Sequence, residues 1–309
     1  MRAQIEASHL IRRTLARKAG ALALVLGAGA LAARAAVWTD ALGRRVEAPD
    51  RPGRIVSLVP SVTEILFAVG AGDRLAGVTR FCTYPPAARR LPKVGGYADP
   101  SLEAIVALSP DLVFGAADST PPALIRRLEA LGIPVYVVYP RSLRDTVETI
   151  RTVGYVAGVP EGGRAVADAL QNAVERVRSA VQGLPRPGVL LCIMVRPLVV
   201  ASPGTLGHDL LEAAGGRNVV PPGTARYPTW GAESLLAADP EVIIVSPHPG
   251  EPVPERFFEQ WPELRAVTSG RVVRVESDWL HRPGPRLAKG LWALARALHP
   301  EVFRGGEGR

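Results

Sequence analysis

One phrase occurs twice in this sequence of 309 residues. Residues 101–115 read SLEAIVALSPDLVFG and residues 231–246 read GAESLLAADPEVIIVS. In each copy an acid stands near the start of a short helical pattern, and a proline and a second acid then lead into an apolar strand. The first acids are Glu103 and Glu233. A helix–strand step written twice predicts two similar α/β units.

The segments around each copy alternate between strand and helix patterns, which predicts two Rossmann-like α/β lobes with central, mostly parallel sheets. Between them, residues 160–183 read as one long amphipathic helix, with an expected apolar stripe of Ala165, Ala169, Ala173, Val177 and Val181. In the first lobe, Ser61 or Thr63 is expected near the N-cap of the helix that follows RIVSLV. The predicted domains are a signal peptide (1–35), a first lobe (36–159), the connecting helix (160–183) and a second lobe (184–305).

The N-terminal 35 residues have the order of regions that is typical of a signal peptide. A basic segment ends at Lys18, an apolar stretch covers residues 19–33, and ARA at residues 33–35 offers a cleavage site. Export by the Sec route is expected, with Arg12-Arg13 as a weak indication of the twin-arginine route. The formal charge of the whole chain is +8, but this leader carries most of it. A nearly neutral mature chain gives no reason to expect a nucleic-acid partner.

The sequence lacks the common catalytic motifs. It has no G-x-S-x-G elbow, no phosphate-binding P-loop and no H-E-x-x-H zinc motif. His208, His248 and His281 stand at no recognised ligand spacing, so structural or surface roles are expected for them. Cys82 and Cys192 are far apart and are expected to be free thiols. We therefore predict a protein that is not an enzyme, with no catalytic residues, no metal site and no catalytic cofactor.

Aromatic and charged residues cluster in loops that follow predicted strands, where α/β folds bind their ligands. Tyr97 and Tyr227 each lie six residues before one of the repeated acids. Tyr84 and Trp279 taken alone are expected to be core residues. Together the loops predict a cleft for a large, partly apolar ligand. The residues are Arg80, Phe81, Tyr84, Tyr97, Arg226, Tyr227, Trp230, Asp278, Trp279 and Arg282.

Three segments carry a resemblance to a known family: residues 54–86, residues 91–115 and ESDWLHRPGPRL at residues 276–287. They resemble the substrate-binding proteins of ABC importers for cobalamin, haem and iron–siderophores, with the cobalamin binders nearest. The resemblance implies a class III periplasmic binding protein, in which one rigid helix forms the backbone between two lobes. It implies cobalamin as the bound ligand, with haem or a ferric siderophore as the alternative. A metallo-enzyme subunit of related two-lobed fold is a distant alternative.

By position, the resemblance implies a set of ligand contacts. In cobalamin binders, aromatic residues of both lobes hold the corrin between them. Tyr97 stands where the best-known cobalamin binder has a tryptophan, and Phe81 where it has a tyrosine. The second-lobe strand IMVRPLVV lacks an expected aromatic residue, and YADP lacks the arginine that usually follows in haem binders. The implied contacts are Ser61, Phe81, Tyr97, Tyr227, Trp230, Asp278 and Arg282.

The family also gives a meaning to the repeated acids. One surface glutamate on each lobe pairs with arginines of the membrane permease, which implies docking roles for Glu103 and Glu233. A simpler alternative is that each acid interacts favourably with the dipole of its own helix. The implied partners are a permease dimer with its ATPase and a small-molecule ligand. The protein is expected to be a periplasmic monomer.

Overall fold

The computed structural model describes residues 35–247 and 254–303. All but the last residue of the predicted signal peptide lies outside these ranges, as does His248. Within the described residues no helix is both long and apolar enough to cross a membrane. The described chain forms two α/β lobes and one long helix between them, with a small hairpin at its start.

The hairpin consists of β1 (Ala35–Thr39) and β2 (Arg45–Pro49), which pair antiparallel. Its turn is closed by Asp40, whose carboxylate accepts hydrogen bonds from the backbone N–H groups of Leu42 and Arg44 at 2.9 and 3.0 Å. Gly43 has a φ of +74°, which an L side chain rarely adopts. The hairpin is joined to the first lobe where Ala41 N–H donates to the carbonyl of Val137.

The first lobe is built on a parallel sheet of four strands in the order β4-β3-β5-β6. Every residue of β3, β5 and β6 is buried, as expected for parallel strands covered on both faces. The strands are β3 (Ile55–Ser57), β4 (Leu75–Val78), β5 (Leu112–Ala116) and β6 (Val135–Val138). The helices are α1 (Pro60–Ala68), α2 (Leu102–Ala107), α3 (Pro122–Ala130) and α4 (Leu143–Val156), with short 3₁₀ turns at Gly72–Arg74 and Pro86–Arg90.

The second lobe repeats this core. Strands β7, β11 and β12 are parallel and adjacent, in the same relation as β3, β5 and β6. The lobe adds β8 and β10 as antiparallel strands beyond β7, which also pairs with β9. The strands are β7 (Gly188–Val195), β8 (Leu198–Val200), β9 (Arg217–Asn218), β10 (Thr229–Trp230), β11 (Val242–Val245) and β12 (Val272–Arg274). The helices are α6 (Leu206–Ala213), α7 (Ala232–Ala238), α8 (Arg265–Thr268), α9 (Ser277–His281) and α10 (Leu287–Leu298), with a 3₁₀ segment at Pro254–Gln260.

The connecting helix α5 spans Pro160–Val181 and packs on α4 of the first lobe and on α6 and α10 of the second. The predicted stripe is partly wrong, because Ala165 and Ala169 are exposed. The contact with α4 is made by glycines: a Cβ added to Gly154 would lie 2.4 Å from the Cα of Gly163. This close approach sets which side of α5 is covered. The buried residues are Gly163, Ala167, Leu170, Ala173, Val174, Val177 and Val181.

The repeated phrase has the same backbone course in both lobes. Ser109 and Asp239, each directly before a proline, have positive φ values of 44° and 34°. The acid after each proline binds the start of the first strand of its own lobe. Asp111 accepts from the N–H groups of Gly53 and Arg54 at 2.7 and 2.9 Å, and Glu241 accepts from that of Gly188 at 2.9 Å. The second acids of the repeat are therefore structural.

Candidate ligand cleft

Two aromatic side chains of the first lobe lie together after β4. The ring centroids of Phe81 and Tyr97 are 5.7 Å apart, and the planes are tilted by 47°. Both side chains are substantially exposed, at 43% for Phe81 and 36% for Tyr97. Exposed, paired aromatic rings at the carboxyl end of a parallel sheet form a surface suited to a flat apolar ligand.

The loop that carries Tyr97 is held against the end of β4. Arg80 donates its N–H to the carbonyl of Gly95 at 2.9 Å, and its guanidinium makes two hydrogen bonds to Asp99 at 3.0 and 3.1 Å. The same guanidinium lies 5.1 Å from the centroid of the Phe81 ring. A Cβ on Gly96 would lie 2.5 Å from the Arg80 side chain, so the guanidinium packs directly against the backbone of this loop. These contacts fix the positions of both rings.

A buried polar cluster supports this pair from below. Cys82 is 1% exposed, and its sulfur lies 3.1 Å from the Thr63 hydroxyl and 3.2 Å from that of Thr79. Thr63 thus packs in the core. Val59 is the N-cap residue and Pro60 begins the helix, so Ser61 lies near the N-cap as predicted, but no side chain caps α1. Ser61, in the first turn, is only 4% exposed. Its predicted ligand contact stays a prediction.

Cys82 and Cys192 are both buried and free, which confirms the prediction for the two thiols. Burial alone raises the pKa of the Cys192 thiol, so it remains protonated at neutral pH.

In the second lobe, Tyr227 is 49% exposed and follows a segment that is held by Ser202. The Ser202 hydroxyl donates to the carbonyl oxygen of Ala225 at 2.7 Å, and the Arg226 guanidinium lies 5.8 Å from the Tyr227 ring centroid. Trp230 is different: it lies in β10 and packs against the core cluster of the outer strands. Its predicted ligand contact stays a prediction.

An acid that the sequence analysis overlooked lies near tyrosines of both lobes. The exposed Asp118 follows the carboxyl end of β5. Burial raises the pKa of Tyr97 to about 12, the positive charge of Arg282 lowers it, and the charge of Asp118 raises it further. Burial also raises the pKa of Tyr227, and Asp118 contributes there too. The charge of Asp118 therefore acts on one tyrosine of each lobe.

Asp278 and Arg282, predicted as ligand contacts, lie in one ion-pair network that joins the lobes. Arg282 Nε donates to Asp278 Oδ1 at 2.8 Å, and its Nη1 donates to Oε1 of Glu64 at 3.1 Å. Glu64 belongs to α1 of the first lobe, and its side chain is 2% exposed. Arg286 Nε donates to Glu64 Oε2 at 2.7 Å, and its Nη2 donates to Asp278 Oδ2 at 3.1 Å.

Arg286 also touches the aromatic surface. Its guanidinium carbon lies 4.3 Å from the centroid of the Tyr84 ring. Burial lowers the pKa of this guanidinium, but Glu64 and Asp278 outweigh burial and raise it overall, so the charge is permanent. Tyr84 is 40% exposed, so the expectation that it is a core residue is wrong. Trp279 does pack, partly buried, against the core.

The sequence held signals for the overlooked residues. Asp118 follows a strand end, the same rule that selected Phe81. Glu64 is a lone acid in the apolar segment PSVTEILFA, and a buried charge needs partners. Arg286 lies four residues after Arg282 in RPGPRL. None of these signals identifies which charges meet, because the partners are more than 200 residues apart.

The first acids of the repeat face solvent. Glu103 follows Ser101, whose hydroxyl caps α2 by accepting from Ala104 N–H at 3.1 Å and donates to the Glu103 carboxylate at 3.1 Å. Hydrogen bonds from its own backbone N–H and from Ser101 hold the Glu103 pKa below its usual value. Glu233 is exposed in the first turn of α7, and in the described part of the chain it forms no ion pair.

Among residues 35–247 and 254–303, no group of three or more His, Cys, Asp or Glu side chains is arranged to hold a metal ion. His281 accepts from or donates to Ser246 at 2.7 Å, and His208 lies 3.4 Å from the Asn218 amide. A groove of about 450 Å³ between α4 and α5 contains none of the predicted ligand contacts.

Comparison with known proteins agrees with this architecture. Residues 55–278 match the family described as periplasmic binding protein. The vitamin B12-binding protein of Vibrio vulnificus is 30% identical over 234 residues, which are 75% of this chain and 85% of that protein.

Two solved structures extend the comparison. The periplasmic vitamin B12-binding protein of Vibrio cholerae superposes with a TM-score of 0.72 at 26% identity, covering 84% of this chain and all of the other. A periplasmic haem-binding protein from Pseudomonas aeruginosa has the same TM-score at 30% identity, covering 81% of this chain and 93% of the other. The predicted class III fold is confirmed. These relatives are substrate-binding components of transporters and not enzymes, and the chain belongs to the periplasmic binding protein family.

Proposed function

We propose that this protein is an exported solute-binding protein that carries cobalamin, or a related corrinoid, to an ABC importer in the cytoplasmic membrane. The observation that carries the proposal is the set of exposed aromatic side chains that follow strand ends in both lobes, with the charge of Asp118 acting on a tyrosine of each lobe. Phe81 and Tyr97 offer a paired surface on one side, and Tyr227 offers a ring on the other. A wide, flat macrocycle would fill the space between them.

The chemistry of the cleft favours a ligand that stacks and accepts neutral hydrogen bonds. A corrin has apolar faces and a rim of amide groups. Burial raises the pKa of Tyr97 to about 12 and so favours the neutral phenol, which stacks, over the phenolate that ligates ferric iron. Two of the charged groups that act on Tyr97, Arg282 and Asp278, are already paired with each other, which suits an uncharged ligand rim.

Haem is the second candidate. The haem-binding relative from Pseudomonas aeruginosa is as similar in structure as the cobalamin-binding one. Arg80 is exposed and Arg226 is partly exposed, and both are candidates to pair with propionates. Arg80, however, is already held in two hydrogen bonds by Asp99, which weakens this reading. A ferric siderophore would rely on the same arginines.

Calorimetric titration of the purified mature protein with cyanocobalamin, haemin and a ferric siderophore tests the proposal. Cyanocobalamin is expected to bind in the micromolar range or tighter. Phe81→Ala with Tyr97→Ala should weaken it at least tenfold, since each ring contributes about 1 kcal/mol beyond its buried area. Val106→Ala, at an exposed position on α2, is the control and should bind as the wild type. Tight haemin binding with no corrinoid binding would overturn the assignment.

The proposed partner is a permease dimer with its ATPase, which the monomeric binding protein meets in the periplasm. Glu103 and Glu233 begin matching helices, α2 and α7, of the two lobes, and both are exposed. Two exposed acids, one on each lobe, can pair with arginines of a two-fold permease and set orientation more than affinity. The helix-dipole alternative would act within the protein alone.

The two roles are separable by experiment. Glu103→Gln with Glu233→Gln should leave cyanocobalamin affinity unchanged and should strongly reduce uptake into cells or vesicles that carry the cognate importer. Glu129→Gln with Glu148→Gln, at exposed positions away from the repeat, is the matched control. Normal uptake by the Glu103/Glu233 variant would leave only the dipole role for these acids.

A further inference from the structure

Four charged side chains form a closed group where the lobes meet. Glu64 comes from α1, and Asp278, Arg282 and Arg286 come from the segment between β12 and α10. Each arginine contacts both acids. The group, which we call the interlobe quartet, contains two positive and two negative charges and is therefore neutral as a whole.

The quartet has an inner and an outer part. Glu64 and Arg286 have side chains only 2% and 11% exposed, whereas Arg282 and Asp278 are 21% and 23% exposed. The charges of the outer pair, Arg282 and Asp278, both act on the Tyr97 hydroxyl. Of the inner pair, Arg286 lies over the exposed ring of Tyr84, three residues after Phe81 in the sequence. The outer pair can reach a ligand, and the inner pair cannot do so without displacing it.

This inference rests on the proposed function and concerns which ligand rim the cleft selects. We propose that Glu64 and Arg286 are specificity-determining positioning residues, which balance the charges of Asp278 and Arg282 so that the floor of the cleft favours a neutral amide rim over a carboxylate rim. Arg282 can still donate its remaining N–H groups, and Asp278 can still accept. A ligand carboxylate gains little there, because two acids already neutralise the two arginines.

The inner pair also orients the arginine side chains. Glu64 Oε1 accepts from both arginines and Oε2 accepts from Arg286, which fixes both guanidinium planes. A Cβ on Gly284, between the two arginines in sequence, would lie 3.6 Å from the carbonyl oxygen of Ser61, so the lobes are in contact at this point. The orientation of Arg282 in the second lobe is thus set by an acid of the first.

The proposal is tested by a charge cycle. Glu64→Gln makes the quartet +1, Arg286→Gln makes it −1, and the double variant is neutral again. The readout is the ratio of the affinities for cyanocobalamin and for each of its b, d and e monocarboxylic acids. In each acid, one side-chain amide of cyanocobalamin is replaced by a carboxylate. Glu64→Gln should shift this ratio towards one of the acids by about tenfold, as one uncompensated charge at this range would. Arg286→Gln should shift it away, and the double variant should restore the wild-type ratio.

Controls separate charge from structure. Arg286→Lys keeps the charge but loses the two-point contact, and its ratio should remain near the wild-type value even if both affinities fall. A loss of packing alone would weaken both ligands equally and leave every ratio unchanged, which would overturn the proposal. If Glu64→Gln does not fold, Arg286→Gln and the double variant still give different expectations: a ratio shifted away from the acids for the first and the wild-type ratio for the second.

A second pair of probes tests the quartet even if the ligand is not a corrinoid. If the wild type binds no corrinoid, the proposed function fails, and the same variants are then titrated with haemin and haemin dimethyl ester. The expected order is unchanged: the affinity for haemin relative to its dimethyl ester should rise in Glu64→Gln and fall in Arg286→Gln. Equal ratios for all variants in this pair would overturn the role of the quartet as well.

Discussion

The Tyr97 hydroxyl is the single group whose ionisation reports best on the proposed cleft. Its pKa is raised to about 12, first by burial and then by the nearby acids, against the opposing charge of Arg282. Tyr136 has a similar value for a structural reason, since it is buried and donates to the carbonyl of Thr39. Burial raises the pKa of Tyr227 as well, so three of the six tyrosines in the chain should titrate above the usual range.

A spectrophotometric titration at 295 nm measures this directly. Tyr97→Phe should remove one of the late-titrating groups, and Tyr136→Phe should remove another. Because the folded-state pKa is raised, the unfolded chain loses its proton first, so the contribution of Tyr97 to stability is complete below pH 10 and declines between pH 10 and about 12. Unchanged late titration in Tyr97→Phe would mean that its ring is solvated.

Some site residues could be selected from local sequence, whereas others depend on contacts between the lobes. Phe81, Tyr97 and Tyr227 could be chosen from the sequence because aromatic residues after strands are unusual unless a ligand or the core uses them. Glu64 and Arg286 could not be paired from the sequence, because their contact depends on how one lobe lies against the other. The surroundings of Tyr84, which was expected in the core, could not be predicted for the same reason. Arg286, from the other lobe, lies over its ring.

At the scale of an element, the two acids of each repeated phrase have different tasks. Asp111 binds the N–H groups of Gly53 and Arg54, which lead into β3, whereas Glu103 faces solvent. Asp111→Ala should lower the free energy of unfolding by about 1–2 kcal/mol, because two backbone donors lose a charged acceptor. Urea denaturation followed by circular dichroism measures it.

The matched control is Glu103→Ala in the same phrase, which should leave the urea midpoint nearly unchanged. Glu241→Ala should reproduce the Asp111 effect in the second lobe to a smaller degree, since Glu241 accepts from one backbone N–H group, that of Gly188. Equal losses for Asp111→Ala and Glu103→Ala would show that the phrase is stabilised through its helix and not through the strand contact.

The helices and strands were largely predictable, because the spacing of apolar residues and the prolines and glycines at element ends are local properties of the sequence. The helix–strand repeat, the parallel lobes and the long helix all follow from apolar spacing and from proline and glycine at the boundaries. The buried face of α5 did not follow. In an alanine-rich helix several faces are small and apolar, and the choice depended on the glycine contact between Gly154 and Gly163.

For the whole molecule, several connections restrict the motion between lobes. The helix α5 is continuous over 22 residues and packs on both lobes. The interlobe quartet joins α1 to the α9–α10 segment, and the N–H of Leu143 in the first lobe donates to Asp209 in the second at 3.1 Å. Hinge closure needs a few residues that can change backbone conformation freely, and a packed helix offers none.

We therefore expect the lobes to keep their separation when ligand binds. Spin labels at Leu131→Cys and Leu236→Cys, one exposed position per lobe, allow a distance measurement by double electron–electron resonance. The native Cys82 and Cys192 are each 1% exposed and should not react. The mean distance should change by less than about 2 Å on addition of cyanocobalamin, the range of pre-organised complexes. A Val106→Cys/Leu131→Cys pair within the first lobe gives the baseline, and a larger shift confined to the interlobe pair would show that α5 bends.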